Sequence, residues 1–260
     1  MRKNVNRLYT DLAWLWPLWE DVEVYKKESQ IFAKLIKKYA QIKVRTLLDM
    51  GCGGGKNMFH FRKHFSVTGI DISRAMLRNA KNLNPRCRLH IADIRDFNLR
   101  RQFDSVFVND SVTYITSKKD LLKVFQTAYK HLRPGGAMIT CPDECKESFE
   151  QDETTVWTSS KDDMHITFIE KQNDPDPEDN KFEKNLVYLI RDKGELRVEH
   201  DCHICGLFDL NVWRSSLKKA GFEVNEEPGK EEVEGSLVFC CIKPKTKKGK
   251  WKSAGNGKKW

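Results

Sequence analysis

The chain runs to 260 residues, enough for one large domain, or one domain carrying an insertion, whose core needs neither disulfide nor metal. Its formal charge of +9 invites a nucleic-acid reading until the charge is located. From Lys243 onward, "KPKTKKGKWKSAGNGKKW" holds eight lysines and no acid, so the body before it, nine less eight, carries only +1. A basic polar tail over residues 243–260 is expected to be disordered and solubilising rather than a nucleic-acid or membrane arm. Eight cysteines follow no signal-like segment, and no run approaches the roughly 18 to 20 apolar residues that span a bilayer. A reduced, cytoplasmic protein without membrane association is expected, as monomer or homodimer.

The aromatic-rich start, "YTDLAWLWPLWEDVEVYKKES", leads into residues 24–39, where Tyr25, Ile31, Phe32, Leu35 and Ile36 recur at helical spacing among charges and predict an amphipathic helix. Residues 46–50 read as a buried strand ending in glycines, and 56–64 as a helix. The pattern continues with strand 67–70, helix 73–81, and strands 88–92 and 105–108. Helix 121–132 follows, which "RPGG" should stop before strand 137–140. Strands alternating with helices at this spacing imply an α/β fold with parallel pairing and helices on both faces. After Pro142 the rhythm breaks into "HITFIE", "NLVYLI" and "ELRVEHDCHI", short alternating runs joined by turn-rich segments, which predict an antiparallel insertion to about residue 206. The first pattern then resumes with helix 210–220 capped by Gly221, and strands 222–225 and 236–242. The expected organisation is a helical cap (1–43), a core (44–141), the insertion (142–206), completion of the core (207–242) and the tail.

The stretch "LLDMGCGGG", residues 47–55, carries the chemistry. As a Walker loop it fails, since Lys56 is followed by Asn57 with no hydroxyl for magnesium. As a dinucleotide fingerprint it fails in both registers, with Lys56 or Met58 where the third glycine belongs. Asp49, two residues before Gly51, would repel a phosphate but can receive an ammonium group, while Gly51 and Gly53 let the backbone approach a ligand closely. The ligand implied has an amino-acid end and no phosphate, a description that S-adenosylmethionine fits. Asp71, ending the second strand with Ile72 beside it, is placed for ribose hydroxyls. Asp93 ends the third strand, placed for the adenine amino group, with Ile94 as an apolar edge. The three acids converge on the carboxyl edge of the sheet, where open α/β sheets bind ligands.

The pieces "LLDMGCGGG", "VTGIDIS", "IADIRDF", "FDSVFVNDSVTYI" and "HLRPGGAMIT", over about residues 44–141, resemble the class I S-adenosylmethionine-dependent methyltransferases. The resemblance implies a Rossmann-like seven-stranded sheet, mostly parallel with an antiparallel last strand, and that cofactor. "LYTDLAW", "DVEVYKKES", "NDSVTYI" and "LRVEHDCHICGLFDLNVWRSSLKKAGFEV" look more narrowly like the small-molecule N-methyltransferases of amino sugars, relatives of the glycine and sarcosine enzymes. In these an aromatic N-terminal region closes over the cofactor and the insertion sheet frames the acceptor. Where the sugar enzymes often carry an aromatic, proline-rich segment after the fifth strand, this chain has "CPDECKESFEQDE", whose acids would repel a diphosphate.

A methyltransferase must mainly align a nucleophile with an already activated donor and exclude water. An amine of a small molecule suits the chain best, with RNA or a protein side chain as the alternative acceptor and a non-catalytic cofactor-binding module as the alternative class. No "NPPY" or "DPPY" motif of base-amino methylation is present. Asn109 is a candidate cofactor contact, Asp110 a partner for a cationic acceptor, and Tyr114 a pocket wall with a catalytic role. Tyr9 and Tyr25 are candidates to close over the methionine part. Trp14, Trp16 and Trp19 form either an apolar lid or the packing of the first helix. Strand parity puts His200 and Cys202 on one face and His203 and Cys205 on the other. His200 is the candidate base and His203 a candidate acceptor contact. The cysteine spacing does not favour zinc, and no metal is expected.

Overall fold

The computed structural model describes residues 6–229 and 237–245. The N-terminal segment winds through 3-10 turns at Arg7–Tyr9 and Ala13–Leu15 into α1 (Trp16–Trp19), and a turn at Val22–Val24 leads into α2 (Tyr25–Tyr39). Then come β1 (Thr46–Met50), α3 (Lys56–Phe61), β2 (Ser66–Asp71), α4 (Arg74–Leu83), β3 (Arg88–Ile91) and β4 (Phe103–Phe107). A 3-10 turn at Asp110–Tyr114 precedes α5 (Lys118–His131) and β5 (Leu132–Thr140). Four strands follow, β6 (Thr154–Lys161), β7 (Met164–Asn173), β8 (Lys181–Asp192) and β9 (Glu195–Gly206), before α6 (Leu210–Lys219), β10 (Glu223–Pro228) and β11 (Leu237–Ile242).

The main sheet has seven strands in the order β10-β11-β5-β4-β1-β2-β3. All neighbours are parallel except β11, which runs antiparallel to both β10 and β5. The chain works outward from β1 in one direction and then returns to start the other at β4, so a crevice opens at the carboxyl ends of β1 and β4. The central strands are buried on both faces, which is why they read as continuous apolar runs. Val106, Met138, Phe239 and Cys241 face the layer containing Phe125 and Trp213, and Phe107, Ile139, Val238 and Cys240 face Phe32, Ile36 and Phe61. Fully buried Phe32 and Ile36, four residues apart on α2, contribute roughly 1.5–3 kcal/mol each.

Helix starts are fixed locally. The side chains of Ser73, Ser117 and Asp209 accept from the backbone N–H groups of Met76, Asp120 and Val212, each satisfying one donor the helix leaves free.

β6 to β9 form a second, antiparallel four-stranded sheet in sequential order. Its inner face is written in period-two burial: Ile166 and Phe168 on β7, Leu186, Tyr188 and Ile190 on β8. Those residues pack on Leu8, Leu12 and Leu15, so the N-terminal segment lies against this second sheet. Arg7 pairs with Glu199 at 2.8 Å, and Asn79 Nδ2 donates to the Ala13 carbonyl at 2.7 Å, joining the same segment to α4.

Three expectations are corrected. β6, "TTVWTSSK", is a full strand although it is not among the three predicted runs, because its only large apolar inward residue is Trp157, stacked on Phe168. "RPGG" lies within β5, which begins directly after α5, rather than in a separating loop. The tail does not start at 243: Lys243 Nζ donates to the Tyr129 and Leu132 carbonyls at 2.8 Å each and caps the end of α5, and Lys245 Nζ donates to the Gln41 carbonyl. The expected disorder of residues 246–260, residues 1–5 of the cap and the first residue of the last predicted strand lie outside the described residues.

Candidate active site

A cavity of about 840 Å³ opens at the carboxyl edge of the main sheet, beneath the N-terminal segment. That volume is in the usual range for small-molecule and cofactor sites. Of the cofactor candidates, Tyr9, Tyr25, Asp49, Gly51, Gly53, Asp71, Ile72, Asp93, Ile94 and Asn109 all line it. The acceptor candidates Asp110 and Tyr114 line it too.

The glycine turn is shaped by its neighbours. Gly51 has φ 79°, and a Cβ there would stand 2.1 Å from Ser111 Oγ, whose hydroxyl donates to the Met50 carbonyl at 3.0 Å. Gly54 admits the Trp16 indole so closely that a Cβ would meet Nε1 at 2.0 Å. Asp71 holds the turn from β2: one carboxylate oxygen accepts the Gly53 N–H at 2.8 Å, the other the Ser73 N–H at 2.7 Å. Each oxygen keeps a second lone-pair direction for a ligand hydroxyl. Burial raises the Asp71 pKa against these hydrogen bonds. Asp49 is 3% exposed. Burial, then the charges of Asp110 and Asp71, push its carboxyl well above the usual range, so an arriving ammonium would restore its charge.

Asp93 stands at the wall but chelates Arg95, with contacts of 3.0 Å and 2.5 Å, and the Arg95 hydrogen bonds hold its pKa low despite burial. A ligand amino group there would share the carboxylate with Arg95. Ile72 is 68% exposed at the mouth of the cavity, an apolar edge open to solvent. Asn109 is buried between Asp110, to which its Nδ2 donates at 2.6 Å, and Cys141, whose thiol donates to its Oδ1. Asp110 holds φ at 35°, the left-handed region unusual for a residue other than glycine, at the turn that delivers Tyr114 to the cavity.

Tyr114, half-buried at the cavity wall, begins a hydrogen-bonded chain that runs inward to buried His203 and Asp201. Its hydroxyl meets Tyr9 Oη at 2.6 Å and His203 Nδ1 at 2.8 Å, and His203 Nε2 meets Asp201 Oδ2 at 2.8 Å. Asp201 also accepts the Leu8 and Cys202 N–H groups, each at 2.8 Å. Burial opposes ionisation of Asp201, but the His203 hydrogen bond and the backbone donors hold its pKa below the usual carboxylate range. Both phenols are held up, chiefly by burial. The chain connects the cavity wall to an internal carboxylate through a histidine, an arrangement able to receive a proton from a group bound in the cavity.

Three sequence candidates do not line the cavity. His200 is exposed on the outer face of β9, where its carbonyl accepts from Arg7, and His203, three residues on and on the opposite face, is buried behind Tyr114, reaching the cavity only through that hydroxyl. Trp14 is 40% exposed under Arg197 and lines nothing in the cavity. Of the other tryptophans, Trp16 lines the cavity and Trp19 packs on Trp157, Phe168 and Tyr188 of the second sheet.

Sequence reasoning missed Asp201, Lys56, Ser111 and the wall role of Ser73. Asp201 and His203 share one strand face by period-two alternation, which was the available signal. Lys56 entered only as the lysine of a failed Walker loop and as the residue standing where a third glycine belongs.

Residues 47–136 match the family described as a methyltransferase domain. Over 217 residues the chain is 27% identical to the dTDP-3-amino-3,4,6-trideoxy-alpha-D-glucopyranose N,N-dimethyltransferase of Streptomyces venezuelae, covering 82% of this chain and 90% of that protein. It is 26% identical to the dTDP-3-amino-3,6-dideoxy-alpha-D-glucopyranose N,N-dimethyltransferase of Streptomyces fradiae, over 79% of this chain and 80% of the other. The crystal structure of Streptomyces venezuelae DesVI superposes with a TM-score of 0.80 at 26% identity, over 91% of this chain and 98% of that one. SAM-bound CalS10, an amino pentose methyltransferase from Micromonospora echinaspora, shares the fold with a TM-score of 0.77 at 21% identity, over 90% and 96%. The cofactor that fits such a turn and sheet is S-adenosylmethionine, and the chain is an S-adenosylmethionine-dependent methyltransferase.

Proposed function

We propose that the enzyme methylates an amine nitrogen of a small molecule, and the observation that carries this is the Tyr9–Tyr114–His203–Asp201 chain ending at the cavity wall. When bound, S-adenosylmethionine supplies an electrophilic methyl group on a sulfonium. The protein's own residues have three tasks. Asp49, Gly51, Gly53 and Asp71 hold the donor, with Asp93, Ile94, Ile72 and Asn109 at its adenine end and edges. Tyr9 and Tyr25 close the cavity against water. Tyr114 receives the acceptor's proton and passes one from its hydroxyl to His203, whose imidazolium Asp201 stabilises. An amine nucleophile needs no stronger base than this. Asp110, exposed at the wall, is placed to pair with an acceptor that arrives protonated.

The relatives are named as acting on nucleotide-linked amino sugars. Here the segment after β5 brings acids toward the same region: burial raises Glu144 to about 6, and Asp143 is among the groups that raise the Tyr114 pKa after burial. This supports an amine acceptor without a diphosphate. We read residues 1–43 as the cap, 44–141 with 207–242 as the cofactor-binding core, and 142–206 as the insertion that frames the acceptor. The cytoplasm is the proposed location, supported by cysteines that pack as small hydrophobes; among the described residues no helix is long and apolar enough to cross a membrane.

The test is a mass-spectrometric methyl-transfer screen over amines, amino sugars with and without a nucleoside diphosphate, amino acids, peptides, hydroxyl compounds and RNA. Transfer to free amines or amino sugars is expected. Transfer confined to hydroxyl compounds, peptides or RNA overturns the reading, and transfer confined to diphosphate-linked sugars overturns its narrower part.

A further inference from the structure

The cofactor cavity contains two nitrogen donors that have no acceptor among the described residues. Lys56, the first residue of α3, is 5% exposed, and among the described residues its ammonium has no hydrogen-bond partner. Trp16 Nε1 is likewise buried without a partner. Both residues line the cavity that holds Asp49 and the glycine turn. The ammonium sits 4.8 Å from the Trp16 ring centroid and 5.0 Å from that of Tyr25, so two aromatic faces fix its position.

Leaving a buried cation and a buried N–H unsatisfied is costly, and two such donors side by side on a ligand cavity are explained by a ligand that accepts from both. Asp49, on the same cavity, answers the ammonium of an amino-acid ligand. A zwitterion needs the opposite charge answered as well, and among the described residues no other lysine lines this cavity. Arg74, Arg78 and Arg95 also line it. Arg95 is committed to Asp93 and Asp120, and Arg74 and Arg78 stand on α4, which follows the ribose-side acid Asp71. We infer that Lys56, with the Trp16 indole N–H beside it, is the anchor for the α-carboxylate of the cofactor. This rests on the cofactor assignment and not on the acceptor, so it stands or falls separately from the amine reading.

Burial lowers the Lys56 pKa to about 8, against the charges of Glu20 and Asp21, which raise it. Asp49 and Asp71 face the cavity from β1 and β2. A carboxylate placed on Lys56 would favour its protonated form, so the anchor is strongest below about pH 8 and weakens above it.

The experiment is calorimetric titration of wild type and Lys56→Met with two nucleosides at pH 7. S-adenosylhomocysteine carries the amino-acid end, and 5′-methylthioadenosine lacks it. The substitution should weaken S-adenosylhomocysteine roughly ten- to hundred-fold, the worth of a hydrogen bond to a charged group, and leave 5′-methylthioadenosine within about twofold. Lys56→Arg should recover part of the loss. Equal weakening of both nucleosides, or of neither, overturns the inference. Should Lys56→Met not fold, the wild-type chain carries the test: S-adenosylhomocysteine should bind at least about ten-fold more tightly than its carboxamide, and equal affinities overturn it.

Discussion

Replacing Tyr114 by phenylalanine removes one oxygen and two hydrogen bonds, to Tyr9 Oη at 2.6 Å and to His203 Nδ1 at 2.8 Å. The ring volume is kept, so packing against Tyr9 and His203 survives. Nδ1 of His203, a residue 2% exposed, then lies buried with its partner gone, at a cost of roughly 1–3 kcal/mol. For a chain of this size the melting temperature should fall by about 2–4 °C per kcal/mol. The kinetic cost is larger. With the connection to His203 and Asp201 cut, the contribution of general base catalysis is lost, typically a factor of about 10² to 10⁴, or about 3–5 kcal/mol on the barrier. Initial rates from pH 6 to 10, with S-adenosylhomocysteine affinity measured alongside, should show kcat reduced while cofactor affinity stays within about threefold. The deficit should shrink as pH rises, because the acceptor amine then reaches the site already neutral. An unchanged kcat with an unchanged pH profile would refute the relay, whatever the thermal shift.

Gly51→Ala should lower cofactor affinity at least about ten-fold by calorimetry, since it adds the left-handed penalty of roughly 1–2 kcal/mol to a collision with Ser111 at 2.1 Å. Gly194→Ala, also at positive φ (90°) but with open space around it, separates strain from collision and should leave binding unchanged. Asp71→Asn cannot accept both the Gly53 and Ser73 N–H groups, so it should release the turn and weaken both S-adenosylmethionine and S-adenosylhomocysteine; equal affinities in the variant would sink the tether. Asp104 and Asp201 have folded pKa values below their unfolded ones: burial opposes this in each, outweighed for Asp104 by donors from Arg45, Arg133 and Thr46 and for Asp201 by His203 and backbone N–H groups. Their stabilisation is complete above about pH 4 and is lost as pH falls through the lowered values. Urea midpoints should therefore drop between pH 5 and pH 3, and Asp104→Asn should reduce that drop; a variant with the same slope contradicts the assignment.

The parts of the fold that a local pattern specifies could be read from the sequence. Continuous apolar runs gave the buried central strands, and Ser73 and Ser117 sit where capping chemistry wants them. β6 escaped because one tryptophan, not an alternating set, holds its inner face. His200 and His203 illustrate the limit for the site. Parity separates them on a strand, but only the position of the second sheet against the N-terminal segment says which face is inside. Trp14 and Trp16 pose the same problem within a short, irregular helix, where one indole meets Gly54 and the other meets Arg197 at the surface. Lys56 was hidden by the expectation of a glycine, since a charged residue at the start of a helix usually reads as solvated.

Tyr9 belongs to two structures at once. Its phenol hydrogen-bonds Tyr114, the proposed proton acceptor, while its carbonyl accepts from Ser73 Oγ and its neighbour Leu8 donates to Asp201. Lifting the N-terminal segment to exchange ligands would therefore take the Tyr9 hydroxyl from Tyr114 and the Leu8 N–H from Asp201 in the same motion. Opening and a fully supported relay are then expected to exclude each other, so the site should be least active while open to solvent. Substitutions that loosen this segment, such as Leu12→Ala, should consequently depress kcat and raise the KM for S-adenosylmethionine together, and a change in KM alone would show that the two events are not coupled.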